Sequence, residues 1–197
     1  MKHILIGQAL SEGWKQFTRR PWYLLGIALA IFGLFTITAG NNSAVTALSY
    51  ILYGGFVAVL LKHSNGESIV FDDLFDLVDK RWIYFAFLGI IKSVLIFLGL
   101  LCFIVPGVYL AIRWMFAELL VIDKGLRPME ALKASSEMTE GVRGQLFLYA
   151  LVSISLMFIG VLALIIGAVV AGIVLQLASI RLYKDLSVPV TEVVNEN

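Results

Sequence analysis

Lys92 and Glu118 are charged residues set inside long apolar runs. A cation and an anion in that setting can neutralise one another, or together hold an ion or a polar substrate. Lys92 lies fourteen residues before Pro106 and Glu118 twelve after it, so a straight helical hairpin turning at Pro106-Gly107 brings them to similar depth. An isolated charge at mid-bilayer costs at least ~2.5–3.5 kcal/mol by insertion scales, and a partner lowers that cost. The plainer reading is a structural pair, or a lysine snorkelling to the cytoplasmic headgroups; the sharper one is an ion or substrate site. Arg113, seven residues past Pro106, has no carboxylate at its own depth and is placed to reach the outer interface. Lys92, Arg113 and Glu118 form the candidate intramembrane polar site.

Phe71-Asp72-Asp73-Leu74-Phe75-Asp76 contains the spacing Asp-Asp-x-x-Asp. On a helix such carboxylates can share a face and hold magnesium against a diphosphate. That chemistry needs a second acidic cluster and basic residues, and the other cytoplasmic loop offers only Glu130, Glu137 and Glu140. A solvated face opposite Phe71, Leu74, Phe75 and Val78 is the preferred reading. His3 and His63 lie in different segments without clustered ligands, which argues against zinc. Ser93, Ser153 and Ser155 lie within apolar runs without a nucleophile elbow or adjacent base, and are expected to hydrogen-bond across or along helices. Neither a P-loop nor a dinucleotide fingerprint is present. The sequence therefore assigns no catalytic residue, no cofactor and no metal.

The elements that must position these residues are three apolar stretches, Trp22 to Leu61, Trp82 to Ile122 and Leu146 to Ile180. Each is roughly twice the ~20 residues that a span requires. The 197 residues are 60% hydrophobic and 15% charged, with mean hydropathy +0.92, too little polar surface for a soluble domain. A net charge of +1 argues against a nucleic-acid partner. Cys102, the single cysteine, can form no internal disulfide and is read as apolar filler. Some twenty residues precede the first apolar run, so that run is expected to stay in the membrane rather than be cleaved as a signal peptide.

Cations set the orientation. Lys2, Lys15, Arg19 and Arg20 precede the first span; Lys62, Lys80 and Arg81 separate the second from the third. Lys124, Arg127, Lys133 and Arg143 separate the fourth from the fifth, and Arg181 and Lys184 follow the sixth. The connections at Gly40-Asn41-Asn42-Ser43, Pro106-Gly107 and near Gly160 carry no charge, so both termini are expected to be cytoplasmic. Spans are placed at about 22–39, 44–61, 82–104, 108–122, 145–159 and 162–180. Pro106-Gly107 suits a tight reversal. Asn65-Gly66 and Lys124-Gly125 suit left-handed helix caps. Trp14, Trp22 and Trp82 fit interfacial anchors, and Trp114 lies deeper.

Before the first span, Ile6, Ala9, Leu10, Gly13, Trp14 and Phe17 recur at helical spacing. Phe71, Leu74, Phe75 and Val78 do so before the third, opposite Asp72, Asp73, Asp76 and Asp79. Before the fifth, Pro128 suits a helix start, and Ala131, Ala134, Ser135 and Met138 form a weaker stripe. Short amphipathic helices of this kind lie in the interface or plug the cytoplasmic end of a bundle. The chain thus reads as a three-fold repeat of interfacial helix, outward span, tight turn and return span.

The segment Phe103-Ile104-Val105-Pro106-Gly107-Val108-Tyr109-Leu110-Ala111-Ile112-Arg113-Trp114 continues through Leu120-Val121-Ile122-Asp123-Lys124-Gly125-Leu126. With Glu130-Ala131-Leu132-Lys133-Ala134-Ser135 and Met138-Thr139-Glu140-Gly141, it resembles the YciC-like proteins and the membrane domain found ahead of some glycerophosphodiester phosphodiesterases. Ala9-Leu10-Ser11-Glu12-Gly13-Trp14 and Arg181-Leu182-Tyr183-Lys184-Asp185-Leu186 look like theirs too. The resemblance covers most of the chain and is specific from Phe103 to Gly141. It implies a six-helix prokaryotic cytoplasmic-membrane protein and brings no catalytic residues with it. The phosphodiesterase, where the family carries one, is a separate soluble domain, and no such activity is expected of these residues.

The expected fold is all-α: an integral membrane bundle of six transmembrane helices in three hairpins, each preceded by a short cytoplasmic amphipathic helix, in one domain spanning 1–197. The expected role is that of a non-enzymatic accessory protein partnered by the lipid bilayer, a specific lipid or another membrane protein. A small transporter or channel using Lys92, Glu118 and Arg113 is the alternative, and a magnesium-dependent lipid enzyme at Asp72, Asp73 and Asp76 a distant one. Oligomeric state is left open.

Overall fold

In a computed structural model the chain is described over residues 5–38, 43–67, 69–70, 73, 82–102, 104–162 and 164–194. The described residues fold as helices and contain no strand: α1 Ile6–Arg19, α2 Pro21–Thr38, α3 Ser43–Ser64, α4 Trp82–Cys102, α5 Ile104–Arg113, α6 Ala117–Lys124, α7 Pro128–Met138, α8 Arg143–Leu162 and α9 Leu164–Val194. The expected turn at Gly40-Asn41-Asn42, the stripe at Phe71, Leu74, Phe75 and Val78 with Asp72, Asp76 and Asp79, and His3 lie outside the described residues.

Among the described residues, four helical stretches are long and apolar enough to cross a membrane: Trp82–Leu101, Val105–Lys124, Arg143–Leu162 and Ile166–Ser187. Only 17% of the first and of the third is buried inside the protein. Ile90, Phe97 and Leu101 on α4, with Ile154, Phe158 and Leu162 on α8, are 63–74% exposed. Apolar surface on that scale demands an apolar surrounding, because each large side chain left in water forgoes roughly 1.5–3 kcal/mol.

Inside, one leucine from each of six helices is fully buried: Leu24, Leu60, Leu88, Leu120, Leu146 and Leu177. Polar ties fasten the ends. Tyr183 Oη donates to Asp123 Oδ2 at 2.6 Å and Lys184 Nζ to Ser64 Oγ at 2.8 Å, joining α9 to α6 and α3. Buried His63 donates from Nε2 to the Gln16 carbonyl at 2.9 Å, joining α3 to α1. The stripe read for α1 buries Ala9, Gly13 and Phe17. Gly13 lies so close to α9 that a Cβ there would come within 2.7 Å of the Val174 carbonyl oxygen. Trp14, Trp22 and Trp82 are 53%, 84% and 41% exposed, and Trp114 packs on the core.

Gly66 and Gly125 adopt left-handed φ of 79° and 65°, as their positions after α3 and α6 led us to expect. Three other expectations are corrected. Pro106-Gly107 is not the reversal: both residues sit in the first turn of α5, where proline needs no N–H partner. Gly107 instead lets two backbones meet, since a Cβ there would lie 2.7 Å from the Leu100 nitrogen. Gly160 is helical within α8, and a Cβ there would lie 2.8 Å from the Gly167 carbonyl oxygen, so this helix runs on to Leu162, past the end placed at 159. The segment placed at 108–122 is not one helix but two, broken at Trp114–Phe116.

That break is supported from α7. Across it Ala117 donates to the Trp114 carbonyl at 3.3 Å, so the Arg113 carbonyl is released from the helical ladder. Ser135 Oγ donates to that carbonyl at 3.0 Å and accepts from the Phe116 N–H at 3.3 Å; Thr139 Oγ1 adds a longer bond to Arg113 O at 3.4 Å. Irregular backbone within a span is tolerated when protein groups satisfy it. These bonds also show that α7 runs back along α6 as an antiparallel pair. Pro128 starts α7, and Glu130 Oε2 accepts from the Arg127 N–H at 3.1 Å. Of the stripe read for this helix, Ala131, Ser135 and Met138 are buried.

Candidate functional site: an ion pair beside an apolar cavity

Lys92, in the middle of α4, donates from Nζ to Glu118 Oε1 on α6 at 3.0 Å. The side chains retain 18% and 25% exposure, so the pair is largely withdrawn from its surroundings. The carboxylate also lies within Coulombic range of the Tyr50 and Tyr53 hydroxyls on α3. Tyr50 is locked by close packing. Its ring lies 5.0 Å from that of Phe85, and its hydroxyl rests on Gly89, one turn before Lys92, where any Cβ would collide with it. Glycine at 89 is what admits the phenol beside the ion pair.

Tyr50 and Tyr53 also face a cavity of about 680 Å³, a size suited to a small-molecule or acyl-chain ligand. Ala28, Ile31 and Phe32 of α2 and Met157 and Val161 of α8 line it, with Ala168, Val169, Gly172 and Ile173 of α9 behind. Its polar groups are the two phenols and the Gln176 amide. Phe32, Met157 and Val161 are 45%, 41% and 58% exposed, so its rim belongs to the exposed apolar surface. A Cβ on Gly172 would meet nothing within 4 Å, which leaves this part of the cavity wall bare.

Of the three site residues named from sequence, the structure joins Lys92 to Glu118 and sends Arg113 elsewhere. Arg113 Nε donates to Ser136 Oγ on α7. Arg143 comes to the same residue, donating from Nη2 to the Ser136 carbonyl at 3.2 Å and from Nη1 to Tyr109 Oη at 2.7 Å. Sequence reasoning counted Arg143 only as a loop cation and gave Tyr50 and Tyr53 no role, although two tyrosines one turn apart in an apolar run are a readable signal. Asp73 of the aspartate motif pairs with Lys62 at 2.6 Å and accepts from the Val70 N–H at 2.8 Å. The Lys62 ammonium holds its carboxyl below the usual carboxylate range, with the Val70 N–H acting in the same direction. Ser155 Oγ donates along its own helix to Leu151 O at 3.0 Å, as expected. No cluster of three metal-ligating side chains occurs among the described residues.

The chain is 23% identical to the uncharacterised protein Mb2590 of Mycobacterium bovis and to the uncharacterised protein MT2637 of Mycobacterium tuberculosis, over 92% of this chain and 68% of each relative. No protein-family model matches it. No solved structure matches it either.

Proposed function

We propose that this chain is a non-enzymatic, multi-pass protein of a prokaryotic cytoplasmic membrane that binds a lipid or a membrane partner through the cavity between α2, α3, α8 and α9. In this reading six spans form three hairpins with both termini cytoplasmic, in the manner of the YciC-like proteins. The distribution of lysines and arginines and the uncovered apolar faces of α4 and α8 support it.

The observation that carries the lipid-binding role is the cavity itself. Its walls are apolar, its rim lies on the exposed apolar surface, and its polar groups are phenols and an amide. Such groups hydrogen-bond a carbonyl or hydroxyl of an amphiphile. The ion pair beside it is self-neutralising, which suits a structural role for Lys92 and Glu118. Lipid-resolved mass spectrometry of the purified protein tests the reading: a lipid class enriched over the bulk membrane is expected, and a composition matching the bulk would contradict it.

One observation favours the transporter alternative. Tyr50 and Tyr53 both line the cavity, and the Glu118 carboxylate is near enough to act electrostatically on both hydroxyls, so these phenols link the cavity to the ion pair. Solute flux in proteoliposomes abolished by Glu118→Gln would move that alternative to first place.

A further inference from the structure

Arg113 and Arg143 come from different helices, yet both guanidinium groups converge on Ser136. Neither meets a carboxylate among the described residues, whose ion pairs are Lys62–Asp73, Lys92–Glu118, Arg181–Glu12 and Arg181–Asp185. Arg143 Nε is buried without a hydrogen-bond partner among the described residues. Arg113 bonds through Nε alone, so its two terminal nitrogens have no partner among the described residues. Two cations gathered without a counter-charge repel one another, and an anion held between them would relieve the repulsion and fill the unused donors.

The surroundings narrow the anion. Arg143 is the first residue of a helix apolar enough to cross a membrane, the level at which lipid headgroups lie. Its guanidinium sits 5.2 Å from the centre of the Tyr109 ring, a cation–π contact that fixes the fork in place. Tyr109 is 44% exposed, and further along α8 Phe147, Leu148 and Leu151 are 45–53% exposed, an apolar surface for acyl chains beside a polar anchor. Guanidinium forks match the oxygens of a phosphate.

We infer that Arg113 and Arg143, held by Ser136 and Tyr109, form a binding site for a phosphate-type oxyanion, supplied in the membrane by the headgroup of an anionic phospholipid. The site shares no residue with the lining of the cavity described above.

The test is a titration of the full-length protein, purified in neutral detergent, with phosphatidylglycerol, phosphatidylcholine or inorganic phosphate, following thermal unfolding. Phosphatidylglycerol should raise the unfolding temperature saturably and phosphatidylcholine should not. Arg113→Gln and Arg143→Gln should each weaken the response roughly tenfold or more. Lys133→Gln, which removes the same charge from an exposed position on α7, should leave it unchanged. A saturable response to inorganic phosphate without one to phosphatidylglycerol would keep the oxyanion chemistry and overturn the lipid source. Equal responses to the two lipids in the wild type would overturn the site outright, without recourse to any variant. Unchanged binding in both arginine variants would do the same.

Discussion

Lys92 Nζ lies 3.0 Å from Glu118 Oε1, across the contact between α4 and α6. The two residues are 26 apart in sequence, and the bond pins the first of these helices to the second half of the broken stretch Val105–Lys124. Removing one partner leaves the other charge uncompensated in a largely dry setting, which costs more than the pair itself contributes.

A double-mutant cycle on stability in detergent should therefore show coupling. Lys92→Ala should destabilise more than Glu118→Gln, and Glu118→Gln should recover part of the loss in the Lys92→Ala background. An interaction of about 0.5–3 kcal/mol is expected for residues in direct contact. Additivity would place the two charges apart.

This pair was legible in the sequence because a helical rise is regular: equal counting from a reversal gives equal depth. The count survived a misplaced turn, since the reversal before Ile104 differs from Pro106 by only a few residues. Proline near a reversal reads the same whether it makes the turn or begins the next helix, so the pattern alone could not separate the two. Arg113 escaped for another reason. Its partners depend on α7 folding back along α6, and the short stripe of Ala131, Ser135 and Met138 says that a face is buried without saying against what. The cavity was likewise hidden, because it arises where Ala168 and Gly172 leave room opposite Tyr50 and Tyr53, a property of packing rather than of any one segment.

Ser135 should matter more than its small size implies. Fully buried, it serves the Arg113 carbonyl and the Phe116 N–H at the break between α5 and α6. Ser135→Ala should cost about 1–3 kcal/mol, the penalty for an unsatisfied buried polar group. Thr139→Val should cost less, because the Arg113 carbonyl keeps its shorter bond from Ser135. Thermal unfolding of the two variants side by side checks the order.

Asp73 gives a pH-dependent signature. Its folded-state pKa is lowered by the Lys62 ammonium, so its contribution is complete above the ordinary carboxylate range. That contribution fades as pH falls through the lowered value. Asp73→Asn should be less stable than wild type at neutral pH by less than about 1 kcal/mol, as expected of an ion pair near the surface. The two proteins should converge in stability from about pH 4 downward. A difference that grows on acidification would assign the wrong sign to the interaction.

Topology follows from the cations and from the corrected connections. Reporters inserted at Asn42, Phe103 and Ala163 should read as external, and those at Gly66, Gly125 and Asn197 as cytoplasmic. An external reading at Asn197 would require an odd number of spans and break the three-hairpin arrangement.

The central claim, that the cavity holds an amphiphile, is tested most directly by filling it. A Cβ on Gly172, in the cavity wall, would meet nothing within 4 Å, so Gly172→Phe should extend its ring into the cavity volume. Gly26 on α2 also has nothing within 4 Å of a Cβ and does not line the cavity, which makes Gly26→Phe the matched control. Native mass spectrometry of the three proteins, purified in parallel, counts the lipid retained by each. The account predicts retained lipid in the wild type and in Gly26→Phe, and its loss in folded Gly172→Phe. Equal retention in all three would contradict it.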